Sequence, residues 1–153
     1  MKKVLCFGTF DILHPGHTYF LKQAKKYGDF LVVVIARDLT VKKVRDRMAR
    51  NDEKIRKREV LELKIADQVI LGDKNNYYKV LDKVRPDVIC LGYDQNIFTD
   101  KLKQELKARE LDPKVVRIKS FKPEKYKSSK LSTPLLLTKI LKSDRVTLLK
   151  RGR

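Results

Sequence analysis

The 153-residue chain contains no tryptophan, only two cysteines and only two histidines. Cys6 and Cys90 each sit inside a hydrophobic run, are too few for a disulfide framework and complete no zinc-ligand spacing. Both read as small buried side chains in a reducing compartment. No apolar run approaches the roughly 18 residues that a membrane span needs. The N-terminal residues offer two lysines and a short apolar stretch that soon meets Gly8, Asp11 and His14. That is not the long apolar core of a signal peptide, and a cytoplasmic protein is expected. Negative charge is scarce as well: 19 Asp and Glu stand against 37 Lys and Arg, for a net charge of +18. A surface of that sign attracts nucleotides, phosphates, RNA or acidic lipid heads without choosing among them.

With 42% hydrophobic residues there is too much apolar material for a disordered chain, and the length suits one domain. Residues 1–143 are expected to form it, with 144–153 as a basic tail. Short runs rich in β-branched residues alternate with segments of helical period, the pattern of βαβ units. The spacing predicts strands over 3–7, 30–36, 69–72, 87–91 and 114–118. Helices are predicted over 16–27, over 52–63 with Asp52 as N-cap, over 75–84 and over 99–109. The third of these ends before Arg85-Pro86, because a proline pushes its predecessor out of the α region. A charged stretch, Arg37 to Arg50, precedes the second. A last helix is expected to begin at Ser132, with Pro134 inside its first turn. The fold class is therefore α/β, a Rossmann-like open parallel sheet of about five strands with helices on both faces.

The segment Gly8-Thr9-Phe10-Asp11-Ile12-Leu13-His14-Pro15-Gly16-His17 leaves the first strand and opens a helix. There an open α/β sheet presents backbone N–H groups and a helix dipole to an anion. Gly8 would let the backbone approach a phosphate, and Gly16 would leave room at the helix start for the ligand. His14 and His17, at i and i+3, lie on one helix face and can touch neighbouring oxygens of one polyphosphate. A Walker lysine at P-loop spacing and a Gly-x-Gly-x-x-Gly are both missing, which disfavours a P-loop NTPase and a dinucleotide-binding dehydrogenase.

Gly8-Thr9-Phe10-Asp11 followed by His14-x-Gly16-His17 resembles the signature of the nucleotidyltransferase superfamily that includes glycerol-3-phosphate cytidylyltransferase, phosphopantetheine adenylyltransferase and the archaeal FAD synthases. The resemblance implies that His17 holds α-phosphate oxygens in the transition state and His14 the neighbouring phosphates. It implies a lysine after the second strand, Lys42 or Lys43, on the far side of the phosphates, and an arginine on the next helix, Arg56 with Arg58 as the alternative. Gly92-Tyr93-Asp94-Gln95 stands where the cytidylyltransferases carry Gly-x-Asp-Trp, and its Gln form resembles the archaeal FAD synthase branch, where this loop lies against the nucleotide. Ser132-Thr133 resembles a phosphate-binding Ser-Thr at the last helix, with Ser128-Ser129 as a rival match.

The implied reaction transfers NMP from an NTP to a phosphomonoester and releases pyrophosphate. ATP with FMN is the first choice, and CTP with glycerol 3-phosphate or a similar small alcohol phosphate is the alternative. Mg2+ is expected with the triphosphate. The sequence has no carboxylate cage for it, although Asp11 lies close enough to contact it. No covalent nucleophile is expected. The resemblance leaves a homodimer open, and a membrane partner is not expected. An RNA-binding module is the reading from another class: +18 invites it, but no basic-aromatic motif supports it and the basic residues are spread along the chain, so nucleic acid is disfavoured as a partner.

Overall fold

The computed structural model describes residues 1–93, 95 and 99–119. The expectations for Asp94, Ser128-Ser129, Ser132-Thr133, the last helix and the 144–153 tail lie outside the described residues. Five strands, β1 (Lys3–Gly8), β2 (Phe30–Ile35), β3 (Gln68–Leu71), β4 (Val88–Leu91) and β5 (Lys114–Arg117), pair in parallel in the order β3-β2-β1-β4-β5. The helices are α1 (Pro15–Lys25), α2 (Asp38–Arg45), α3 (Glu53–Glu62), α4 (Val80–Val84) and α5 (Thr99–Ala108).

The two-residue period of the strands divides the interior into two layers. Val4 and Cys6 of β1, Val33 and Ile35 of β2 and Val88 and Cys90 of β4 pack with Leu21 and Ala24 of α1 and Val60 of α3. The alternate residues Leu5, Phe7, Val32, Val34, Ile89 and Leu91 pack with Leu81 of α4 and Leu102 and Leu106 of α5. Helices cover both faces, which is why the central strands read as unbroken apolar runs. Burying one such side chain stabilises by about 1.5–3 kcal/mol. Cys6 and Cys90 are register partners on adjacent strands, free and fully buried.

Two segments depart from the predicted elements. Part of the charged stretch is a helix, α2, in which only Val41 is buried. The helix predicted to start at Asn75 starts later: the Asp73 carboxylate accepts the N–H groups of Asn75 and Asn76, and the Asn76 side chain caps a short 3-10 turn, Tyr77–Lys79, before α4. Asp52 caps α3 as expected, accepting from Ile55 N–H at 2.9 Å. Arg85 leaves the right-handed region ahead of Pro86, with φ 48°.

Candidate active site

The strand order reverses between β1 and β4. There the chain enters α1 on one face and the α4 and α5 layer on the other, so the carboxyl ends of β1 and β4 part into a crevice, the usual ligand position of an open α/β sheet. Both histidines stand at its edge. His14 is the N-cap of α1 in extended conformation, and Pro15 occupies the first turn. The Nδ1 of His14 accepts from Gly16 N–H at 3.1 Å, and the Nδ1 of His17 accepts from His14 N–H at 3.3 Å, a reciprocal capping box. Each neutral ring thus has its proton on Nε2, and both present an N–H donor away from the helix backbone. The rings lie 4.0 Å apart, centroid to centroid. Burial, the neighbouring His14 and the charge of Arg45 together lower the His17 pKa to about 3, and burial lowers that of His14. At neutral pH the pair is a set of uncharged donors.

At both glycines the Cβ position is taken by a neighbouring ring. A Cβ at Gly8 would stand 2.3 Å from the Phe10 ring, and one at Gly16 would stand 2.8 Å from Cε1 of His14. Gly8 therefore admits the Phe10 ring, which is buried at φ 51°, and Gly16 admits the His14 imidazole.

Arg56 is fully buried. Its Nε donates to the carbonyl of Asn51 at 2.9 Å, its Nη1 to the carbonyl of Thr9 at 2.9 Å and its Nη2 to Asp38 Oδ1 at 2.7 Å. Arg58, the alternative, is exposed beside Glu62. Asp11 is tied down as well: its two oxygens accept from Arg50 N–H at 2.8 Å and Asn51 N–H at 2.9 Å, and the Asn51 amide donates back to the Asp11 carbonyl. Its carboxylate thereby fixes the loop before α3. Among the described residues no group of three His, Cys, Asp or Glu could hold a metal ion.

Lys42 and Lys43 are exposed on α2. Sequence reasoning missed Arg45, whose charge reaches His17. No sequence signal marked it, because the helix that carries it buries only Val41 and was itself not legible. It also missed Asp38 and Asn51, the partners of Arg56. Gly92 and Gln95 stand at the end of β4, across the crevice from Phe7 and Gly8, where the Gln95 carboxamide is bound to backbone groups. The buried thiols take no part in this geometry; burial pushes Cys90 up to about 12 and Cys6 well above the ordinary thiol range.

The family described as Cytidylyltransferase-like matches residues 5–134. The chain belongs to that family, and it is a nucleotidyltransferase. It is 49% identical over 121 residues to a protein of Ferroglobus placidus named FAD synthase, covering 78% of each chain. It is 46% identical to one of the same name from Aciduliprofundum boonei, covering 79% of this chain and 80% of the relative. Among solved structures, one titled lipopolysaccharide core biosynthesis protein, from Thermoplasma volcanium, is 40% identical with a TM-score of 0.73, covering 79% of this chain and 98% of that one. Among the described residues, no helix is long and apolar enough to cross a membrane.

Proposed function

We propose that this protein transfers AMP from ATP to the phosphate of FMN, forming FAD and pyrophosphate. One observation carries the nucleotidyl-transfer site: two imidazoles 4.0 Å apart at a helix N-terminus, with both Nδ1 atoms capped so that both Nε2–H groups face outward at the switch point. The adenylyl group and the flavin acceptor are carried over from the relatives named FAD synthase.

An acceptor phosphate oxygen attacks the α-phosphorus in line, its new P–O bond forming as the bond to the pyrophosphate oxygen breaks. Charge accumulates on non-bridging oxygens, and fixed donors that need no reorganisation stabilise it. His17 serves the α-phosphate and His14 its neighbours, helped by the positive end of α1. Lys42 and Arg45, at i and i+3 on α2, supply cations from the other side. Arg56 acts through the backbone: it holds the Thr9 carbonyl inward, and in a trans peptide the Phe10 N–H then points the opposite way. The described residues do not fit a resident metal site, so Mg2+ enters as part of the substrate, on the triphosphate. Ser132-Thr133 and Asp94 remain candidates for phosphate and nucleotide contact on the resemblance alone.

A pyrophosphate-release assay with ATP or CTP against FMN and glycerol 3-phosphate tests the proposal. ATP with FMN should release pyrophosphate and form FAD. His17→Ala should lower turnover by about 10²–10³, the usual loss for one such donor. Turnover of CTP with glycerol 3-phosphate, and none of ATP with FMN, would overturn the substrate assignment.

A further inference from the structure

Gln95 spans the crevice between β1 and β4. Its Oε1 accepts from Gly92 N–H at 2.7 Å, and its Nε2 donates to the Phe7 carbonyl at 2.8 Å. Its own N–H donates to the Gly92 carbonyl at 3.2 Å, which closes a tight turn. Arg117 of β5 braces that turn from the edge, donating from Nη1 to the carbonyls of Gly92 at 2.7 Å and Gln95 at 3.1 Å. Phe7 immediately precedes Gly8. One carboxamide thus joins the turn that ends β4 to the strand end that begins the phosphate loop, two segments 88 residues apart.

We propose that Gln95 is a positioning residue that fixes the spacing between the nucleoside side and the triphosphate side of the crevice, and that it does not itself hydrogen-bond the base. This inference rests on the ATP-dependent reaction proposed above. A carboxamide turned to read a base would take its bonds away from both the Gly92 N–H and the Phe7 carbonyl, and unpairing part-buried backbone groups is unfavourable. A nucleotide that touches both sides must match the spacing that Gln95 sets, whereas a ligand that touches only the phosphate side is indifferent to it.

Gln95→Glu separates these roles. The carboxylate can still accept from Gly92 N–H but cannot donate to the Phe7 carbonyl, and it sets two oxygens face to face. With FMN saturating, KM for ATP should rise about tenfold, the size of one lost hydrogen bond in a coupled pair, with little change in kcat. Inhibition by inorganic tripolyphosphate, which engages only the phosphate side, should keep its parental constant. Gln95→Met should raise KM further. The loss caused by Gln95→Glu and the loss caused by replacing ATP with purine riboside triphosphate, which lacks the exocyclic amine, should multiply, because they act on different contacts.

Non-multiplicative losses would show that Gln95 reads the base and would overturn the proposal. An unchanged KM for ATP would do the same, as would equal weakening of ATP and tripolyphosphate together with a lower Tm. The parent enzyme separates the two ideas: if it forms no FAD, the ATP and FMN assignment falls and this inference with it. If the parent is active and Gln95→Glu matches it, only this inference falls.

Discussion

The Nη1 of Arg56 donates to the carbonyl of Thr9 at 2.9 Å, across 47 residues of sequence. The link runs from a fully buried guanidinium on α3 to the first turn of the phosphate loop, and Asp38 at the start of α2 neutralises it. Asp38 is itself held by Glu53, which accepts its N–H at 2.9 Å and pairs with Arg37 at 2.8 Å. Three segments that reach the site separately are thereby set in one arrangement. The next residue, Phe10, has φ 51°, a conformation that costs an aromatic residue about 1–3 kcal/mol unless its surroundings impose it. Arg56 on one side and the Asp11 clamp on the other impose it.

Arg56→Lys should accordingly damage both stability and catalysis. A lysine keeps the charge but lacks the fork that reaches the Thr9 carbonyl, the Asn51 carbonyl and Asp38 at once. Leaving buried carbonyls unpaired costs about 1–3 kcal/mol, readable as a lower urea midpoint. Turnover measured well below the melting transition should still fall by about tenfold or more, because the Phe10 N–H loses its orientation. Asp38→Asn tells positioning from direct phosphate contact. If Arg56 were a phosphate ligand, releasing it from Asp38 would tighten nucleotide binding; as a positioning residue, it should lose turnover instead.

Gly16→Ala should separate stability from function in the other direction. In a helix first turn alanine is favoured over glycine by up to about 1 kcal/mol. The added Cβ would lie 2.8 Å from Cε1 of His14, so the imidazole must swing away and give up the bond from Gly16 N–H to its Nδ1. The expected result is a Tm within a few degrees of the parent and a large drop in kcat. A parental kcat would mean that His14 does not need its cap to work.

The strands and the histidine turn were legible in the sequence because their physics is local. Runs such as Phe30 to Ala36 are apolar at every position, and His14, Gly16 and His17 interact within one helical turn. Helix α2 was not legible, since burying only Val41 leaves no apolar stripe. The surroundings of Arg56 were hidden for a different reason: its partners Thr9, Asp38 and Asn51 come from three other places in the chain, and no spacing rule brings them together. Gly8 was expected to let its backbone approach a phosphate and Gly16 to leave room for the ligand; in the fold the Cβ position of each is taken by the Phe10 and His14 rings. A glycine pattern reports that something approaches closely, not what approaches.

Chelation should abolish turnover without touching the fold. On the proposed reading the cation comes with the nucleotide: both oxygens of Asp11 already accept backbone N–H groups, and the described residues include no group of three potential ligands. EDTA added to the free protein should leave Tm unchanged, and excess Mg2+ should restore full activity. A Tm that falls on chelation would reveal a resident structural metal.

The histidine pair also fixes a pH dependence. In the unfolded chain each imidazole titrates near its ordinary value of about 6.5, whereas the folded environment holds His17 down to about 3 and His14 below its usual range. Between those limits the unfolded chain binds protons that the folded protein refuses. His17 therefore takes stability away as pH falls from about 6.5 toward 3, at up to about 1.4 kcal/mol per pH unit, with no such effect above 7, and His14 acts in the same direction. Nucleotide binding acts in the opposite sense. A triphosphate beside the rings favours the imidazolium and raises the pKa, so binding near pH 6 should take up protons and tighten as pH falls. Titration calorimetry of ATP in buffers of different ionisation enthalpy should show that uptake in the parent, and a clear reduction in His17→Asn. Equal uptake in both proteins would place the titrating group elsewhere.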